Sequence, residues 1–305
     1  MLKTDISLIV ATYNRPSNLA LCLKSLELQQ EVTGSFDVVV AADGSEEETE
    51  RVVSEFARRV PYPVTYTTHE HDGFRLARTR NEGVLASRGS YVIFLDGDVT
   101  VPSNFVKAHL DQRVSGTVMV GDTCWLDRGR SEQMTVEAVE AGAFHNWVSN
   151  AERKRLRGKF IRAEIYSFLR LPSRPRLKGS NIAIWRSDFQ RVNGYDEDFV
   201  GWGLEDTDLQ RRLAQAGLRF QSSMRWTRTY HIWHPYDPSY VPKAKGTRNE
   251  ALLRERGRPS RCANGLNPQG DFAVICWNGE PSIENRSEDK QVPVENPRGE
   301  QRIAA

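Results

Sequence analysis

Apolar runs that stop at polar turns alternate with helix-like periods through the first third of this chain, and that alternation restricts the fold more than any other feature. Ile6-Ser7-Leu8-Ile9-Val10-Ala11-Thr12 leads into Tyr13-Asn14-Arg15-Pro16, Asp37-Val38-Val39-Val40-Ala41-Ala42 is stopped by Asp43-Gly44-Ser45, and Tyr91-Val92-Ile93-Phe94-Leu95 ends in Asp96-Gly97-Asp98. Such runs read as strands buried on both faces. Between the first two, Ser17 is expected to cap a helix with Leu19, Leu23 and Leu26 on one side. Residues 46–59 are acidic early and basic late, as the helix dipole favours, with Val52, Val53 and Phe56 as the apolar face. A short strand over 64–68 and a helix over 75–87 complete a βαβαβαβ series. The expected class is α/β, with a mainly parallel central sheet flanked by helices.

Open α/β sheets bind ligands beyond the carboxyl ends of their strands, where Asp96 and Asp98 fall. Side chains two apart in extended backbone point the same way, and Gly97 lets a ligand approach the main chain. This pair of hard oxygen donors suits Mg²⁺ or Mn²⁺ better than zinc. An isolated Asp-x-Asp is more commonly a turn with two solvated carboxylates, so the tripeptide alone does not decide.

A second carboxylate cluster, Gly201-Trp202-Gly203-Leu204-Glu205-Asp206, opens a helix over 205–216 whose Leu209, Leu213 and Ala216 share a face and which Gly217 stops. Acidic residues often begin helices for stability alone. Here two glycines present an indole at the same surface, and a Trp face beside a carboxylate is how proteins hold a sugar ring; the other reading of Trp202 is a core residue. The stretch between the clusters is less regular. Residues 151–176 carry many Arg and Lys and two late prolines, Pro172 and Pro175, which reads as a helix followed by a mobile basic loop, either a solvated face or a cover for an anionic donor. Lys178-Gly179-Ser180-Asn181 then leads into a short apolar stretch over 182–185.

Composition excludes several classes. With 42 Lys plus Arg against 40 Asp plus Glu in 305 residues there is no global basic field for nucleic acid. No run approaches the roughly 20 apolar residues of a membrane span, and the N-terminus goes directly into a strand, so no signal peptide is expected and the cytoplasm is the default location. Cys22, Cys124, Cys262 and Cys276 form no CxxC pair. Scattered free thiols fit a reducing compartment, with a bridge between Cys262 and Cys276 the alternative; zinc ligation is not supported.

Five motifs in one order carry a resemblance: Thr12-Tyr13-Asn14-Arg15; Asp43-Gly44-Ser45; Asp72-Gly73-Phe74-Arg75-Leu76-Ala77-Arg78 with Arg80-Asn81; Asp96-Gly97-Asp98; and Gly201-Trp202-Gly203-Leu204-Glu205-Asp206. Over residues 5–240 the chain resembles the GT-A glycosyltransferases of family 2, particularly those with a galactosyltransferase-type C-terminal segment such as the modules of bacterial chondroitin polymerases.

That resemblance implies a donor site for a UDP-sugar at the sheet's carboxyl edge. Thr12, Tyr13 and Arg15 would line the nucleotide pocket, and Asp43 would accept a hydrogen bond from the uracil N–H, which distinguishes uracil's N3 donor from cytosine's N3 acceptor. Arg75, Arg78 and Arg80 fall near a helix N-terminus, a ready anion site. Arg80 matches the family pattern best, while Arg75 or Arg78 has the alternative of pairing with Glu82. Asp96 would contact ribose or metal beside Gly97, and Asp98 would bind Mn²⁺ or Mg²⁺, which neutralises charge on the departing diphosphate. His231 is the expected further ligand and His234, expected to point elsewhere, the second choice. Asp206 is the expected general base, leaning toward inversion; Glu205, Trp202, Gly203 and Asn181 would hold substrate.

The resemblance divides the chain into a transferase domain over 1–245, with a donor half over 1–115 and an acceptor half over 116–245. Beyond it lie an extension of unknown role over 246–279, with a short strand over 272–277 among loops marked by Pro259, Asn264-Gly265 and Pro268, and a tail over 280–305 expected to be disordered. The implied reaction moves a hexose or N-acetylhexosamine to a saccharide or glycolipid acceptor, in cell-surface polysaccharide or glycolipid assembly. Basic residues over 153–159 are placed to meet an anionic inner membrane face. A nucleotidyltransferase on a related fold would show a Gly-rich loop near the N-terminus, and residues 12–16 have no glycine. An inactive sugar-binding module would have lost the second carboxylate cluster.

Overall fold

The computed structural model describes residues 4–169, 171, 174–267 and 270–279, together with the backbone of 294–295 and 301–304. Its centre is four parallel strands, β1 (Ile6–Thr12), β2 (Phe36–Ala42), β3 (Val64–Thr68) and β4 (Tyr91–Asp96), in the order β3-β2-β1-β4. Three helices return the chain between them: α1 (Pro16–Glu27), α2 (Glu47–Ala57) and α3 (Leu76–Ala86). Strand alternation sorts their side chains into two cores. Leu8, Val10, Val38, Val40, Ile93 and Leu95 meet α1 and α2, whereas Ile9, Val39, Ala41, Val92 and Phe94 face α3. This is the periodicity of the three apolar runs made physical.

The α/β fold with a large central sheet and flanking helices is as expected; the sheet is parallel at this centre and mixed toward both edges. Beyond β5 (Val99–Thr100) come β6 (Thr117–Val120), β7 (Thr123–Trp125), β8 (Ile182–Trp185), β9 (Arg219–Ser222), β10 (Thr229–His231) and β11 (Ala273–Trp277). β8 runs antiparallel to both β4 and β6, because the chain re-enters the sheet after a long excursion and no crossover helix fixes a parallel return. β6 then pairs parallel with β9. At the other edge β11, predicted as a short strand, lies antiparallel on β3. Outside it follow β13 (Gln301–Ala304), antiparallel on β11, and β12 (Val294–Glu295), antiparallel on β13. The rest of the tail, with Pro172 and Pro268, lies outside the described residues.

Around this sheet sit α4 (Phe105–Gln112), α5 (Arg128–Glu132), α6 (Val136–Glu140), α7 (Asn150–Phe168), α8 (Arg186–Arg191), α9 (Glu205–Gln215) and α10 (Arg248–Arg254). A small second sheet, β5-β10-β7, carries its own core of Cys124, Leu126, Phe144, Tyr230 and Ile232. Helix α1 starts one residue before the expected cap: Pro16 is its first residue, and no side chain caps it. Proline's missing N–H is an orphan at that position in any helix, so Ser17 is not required. All four cysteines are free and buried, as scattered thiols suggested.

Candidate functional site

Both carboxylate clusters reach the same end of the sheet. After β4 the chain turns through Gly97 into β5, and β5 pairs antiparallel with β10, setting Val99 opposite His231. The Ile232 N–H donates to the Asp98 carbonyl at 2.8 Å, fixing this register beside the carboxylate. His231 Nε2 then lies 3.8 Å from Asp98 Oδ2, His234 Nε2 2.8 Å from it and Arg15 Nη1 3.9 Å away. The expectation that His234 points elsewhere is therefore corrected. It has already left β10, and its Nδ1 turns to the Pro235 carbonyl at 2.6 Å, which swings the other nitrogen onto Asp98.

Asp98, His231 and His234 bring their ligand atoms within 4.8 Å of one another. Burial works against charge on Asp98, but the hydrogen bond from His234 and the nearby His231, His234 and Arg15 hold its pKa below the usual carboxylate value. Burial lowers His231, while the bond to Asp98 outweighs burial and raises His234. Asp98 Oδ1 and His231 Nδ1 are buried with no hydrogen-bond partner among the described residues. One carboxylate and two imidazoles with orphaned atoms fit a divalent transition ion; the imidazoles favour Mn²⁺ over Mg²⁺, which takes oxygen ligands.

Asp96, in contrast, turns toward Arg80. Arg80 is 1% exposed; its Nη2 donates to Asp96 Oδ1 at 2.9 Å and its Nη1 to Asp206 Oδ1 at 3.1 Å, with Glu205 Oε1 at 3.6 Å. Arg80, expected at an anion site near a helix N-terminus, is instead paired with carboxylates of the chain itself. Helix α3 packs against the sheet through Ala77, Val84 and Ala86, which encloses Arg80 among Asp96, Glu205 and Asp206. Burial pushes Asp96 up to about 6, opposed by Arg80 and reinforced by Asp98. Glu205 is pushed up to about 8 by burial and by Asp206, with Arg80 opposing.

Asp206 stands at the first turn of α9, behind a chain reversal in which Gly201, Gly203 and Leu204 all have positive φ. Its Oδ1 accepts from Arg80 and from the Tyr195 hydroxyl at 3.1 Å, and its Oδ2 from the Gly179 N–H at 2.8 Å. A carboxylate offers about four lone-pair positions; three are taken and the side chain keeps 20% of its surface exposed. Gly179 is needed here, since a Cβ would lie 1.9 Å from Arg80 Nη2.

On the other side of Asp96, Thr12 ends β1 beneath Gly97, where a Cβ would come within 3.0 Å of the Thr12 side chain. Tyr13 stacks on His71 with ring centroids 4.4 Å apart and planes within 10°. Asp43 is buried: its Oδ2 accepts from the Arg75 N–H at 2.7 Å, and its Oδ1 lies 3.0 Å from His69 Nε2. The His69 Nδ1 reaches Glu82 Oε2 at 2.7 Å, and Arg78 Nε donates to Glu82 Oε1 at 2.7 Å. Burial opposes charge on His69, yet the bonds to Asp43 and Glu82 prevail and push it up to about 9. Arg78 is thus the arginine that takes Glu82, and Arg75 pairs with Asp72.

Trp202 is partly exposed, so the core alternative is excluded; its ring meets Tyr240 edge-on at 4.6 Å, and its backbone N–H donates to Ser239 Oγ. Gly203 offers its carbonyl to Asn249. Asn181 is 1% exposed, its side chain packed against Gly121, whose N–H donates to the Asn181 carbonyl at 2.8 Å. The basic loop is described at 174–176, and Gln210 of α9 holds it through the Pro175 carbonyl and the Leu177 N–H. Sequence reasoning missed Tyr195, His69 and His71. Tyr195 lies in Asn193-Gly194-Tyr195-Asp196, which four residues separate from the second cluster, and nothing local indicates that its hydroxyl reaches Asp206 eleven residues on.

A profile described as Glycosyl transferase family 2 matches residues 7–168, and one described as the N-terminal domain of galactosyltransferase matches residues 163–235. Chondroitin synthase of Escherichia coli is 26% identical over 267 residues, covering 83% of this chain and 38% of its own length. Validoxylamine A glucosyltransferase of Streptomyces hygroscopicus subsp. jinggangensis is 28% identical over 230 residues, 70% of this chain and 52% of its own length. The chain thus spans about half or less of these relatives. Among solved structures, S. aureus TarS 1-349 in complex with UDP-GlcNAc superposes with a TM-score of 0.54 at 17% identity, covering 82% of this chain and 65% of that one. Mannosyltransferase PcManGT from Pyrobaculum calidifontis, in complex with GDP-Man and Mn²⁺, gives 0.50 at 19% identity, covering 83% and 61%.

Proposed function

The chain belongs to Glycosyl transferase family 2 and has the GT-A fold, and from that premise we propose that it is an inverting, metal-dependent glycosyltransferase. It would move a hexose or N-acetylhexosamine from a UDP-sugar to a saccharide or glycolipid hydroxyl. The observation that carries this reading is Arg80, whose one guanidinium binds both carboxylate motifs and so makes them walls of one cleft.

In this reading the uracil packs against the Tyr13 and His71 stack with Asp43 behind it. Asp98, His231 and His234 would hold Mn²⁺, which when bound neutralises negative charge on the leaving nucleoside diphosphate. Arg15, beside Asp98, adds a cation facing the same charge. On the opposite wall, Trp202 and Tyr240 form an aromatic shelf for the acceptor ring. The remaining lone pair of Asp206 accepts the acceptor hydroxyl's hydrogen bond. As the oxygen attacks the anomeric carbon, the carbon–oxygen bond to the diphosphate breaks and the proton passes to Asp206. Arg80, Tyr195 and the Gly179 N–H keep the carboxylate aimed throughout. In-line attack gives inversion.

The test is a panel of UDP-sugars with Mn²⁺, Mg²⁺ or EDTA, the product anomer being read by NMR. Mn²⁺ should support the fastest transfer. Asp206→Asn should keep donor affinity while lowering transfer on the order of 10³-fold or more. Full transfer in that variant, or in EDTA, sinks the base or the metal assignment respectively.

A further inference from the structure

Helix α7 turns apolar residues outward. Phe168 is 86% exposed, Leu169 56%, Ile165 48% and Ile161 47%, and at 3.6 residues per turn all four fall on one half of the helix. Its opposite half is spent on the protein: Leu156 and Ala163 are buried there, Arg155 Nη2 donates to the Thr123 carbonyl at 2.7 Å, and Lys159 Nζ lies 2.9 Å from Asp122 Oδ2. The basic stretch over 153–159 therefore divides, with Arg155 and Lys159 pointing inward and Arg153, Lys154 and Arg157 exposed.

The exposed cations continue the apolar ridge. Arg153, Arg157, Ile161, Ile165 and Leu169 follow one another at intervals of four, a single row along the helix surface. Lys154 and Arg162 flank it. Arg153 and Arg162 each give one N–H to a backbone carbonyl, and none of these four cations pairs with a carboxylate among the described residues. Soluble proteins rarely leave a contiguous apolar ridge in water, and unpaired cations around it select for a partner that is both apolar and negatively charged. An anionic lipid surface is such a partner. A helix with its apolar side chains at the acyl boundary and its cations at the headgroups lies in the interface plane.

We infer that α7 is a peripheral docking helix for an anionic phospholipid surface. About 28 Å long, it is fixed to the sheet by its inner face, so docking orients the whole domain. Asp122 receives Lys178 as well as Lys159, and Lys178 precedes Gly179, the backbone partner of Asp206. The docking helix is thus linked through the Asp122 ion pairs to the residue that precedes the backbone partner of Asp206. The inference does not depend on the proposed reaction, since it is read without substrate.

The test is flotation of the full chain with phosphatidylcholine vesicles with and without phosphatidylglycerol. Binding should require phosphatidylglycerol, weaken as salt is raised, and fall on the order of tenfold or more in Arg153→Glu/Arg157→Glu. Ile165→Asp/Phe168→Asp should abolish it, with circular dichroism and thermal midpoint unchanged because these side chains are exposed. Failure of the native chain to float with anionic vesicles overturns the inference. So does equal flotation of the apolar-ridge variant. Sedimentation equilibrium adds a further arm: self-association that this variant disrupts, without vesicle binding by the native chain, would assign the ridge to a second copy instead.

Discussion

At the scale of single residues, the site depends on one guanidinium and the glycine that makes room for it. Arg80 is fully enclosed, which is costly unless every face is matched, and Asp96 and Asp206 supply the matching charge. Gly179→Ala would place a methyl group against Arg80 Nη2, forcing the guanidinium off both carboxylates. The expected outcome is a stability loss of about 1–3 kcal/mol from overpacking, and transfer reduced far more than donor affinity, since Tyr13 and His71 lie on another element. Steady-state kinetics beside a denaturant titration would check it, and unchanged transfer would contradict the role given to Arg80. That Asp98 ends a strand and Asp206 begins a helix was legible because both are local patterns. The partners of Arg80 were not, for the same reason: an arginine near a helix start looks like an anion ligand until the helix is known to pack against the sheet.

At the scale of elements, β3 and α3 are tied by a buried relay in which His69 bridges Asp43 and Glu82. The pKa of His69 rises from 6.5 to about 9 on folding. A group raised in this way contributes stability that is fully present below its unfolded pKa and lost as pH rises through the folded value. Urea midpoints should therefore fall between about pH 6.5 and pH 9, by up to about 3 kcal/mol in stability, and His69→Gln should flatten that decline. Parallel curves for the two proteins would refute the relay. Periodicity predicted both elements within a residue or two, because helix and strand repeats are local. It was silent on the relay, because His69 follows the strand at a position with no period.

At the scale of the whole molecule, the C-terminal extension proves to be part of the sheet. β11 pairs with β3 along its length, and Ile275 joins the main core. Ile275→Ala should cost about 2–5 kcal/mol, whereas Ile161→Ala, on the exposed row of α7, should change stability by about 0.5 kcal/mol or less. Denaturant unfolding of both distinguishes them, and a mild effect at Ile275 would mean that the extension is an appendage. The sequence by itself determined the order of elements, the two faces of each central strand and the two carboxylate clusters, because these are written in spacings of two to four residues. Tertiary structure alone decided which charges meet. Arg80 and Asp206 are 126 residues apart and Asp98 and His234 are 136 apart, and only the pairing of distant segments brings these side chains together.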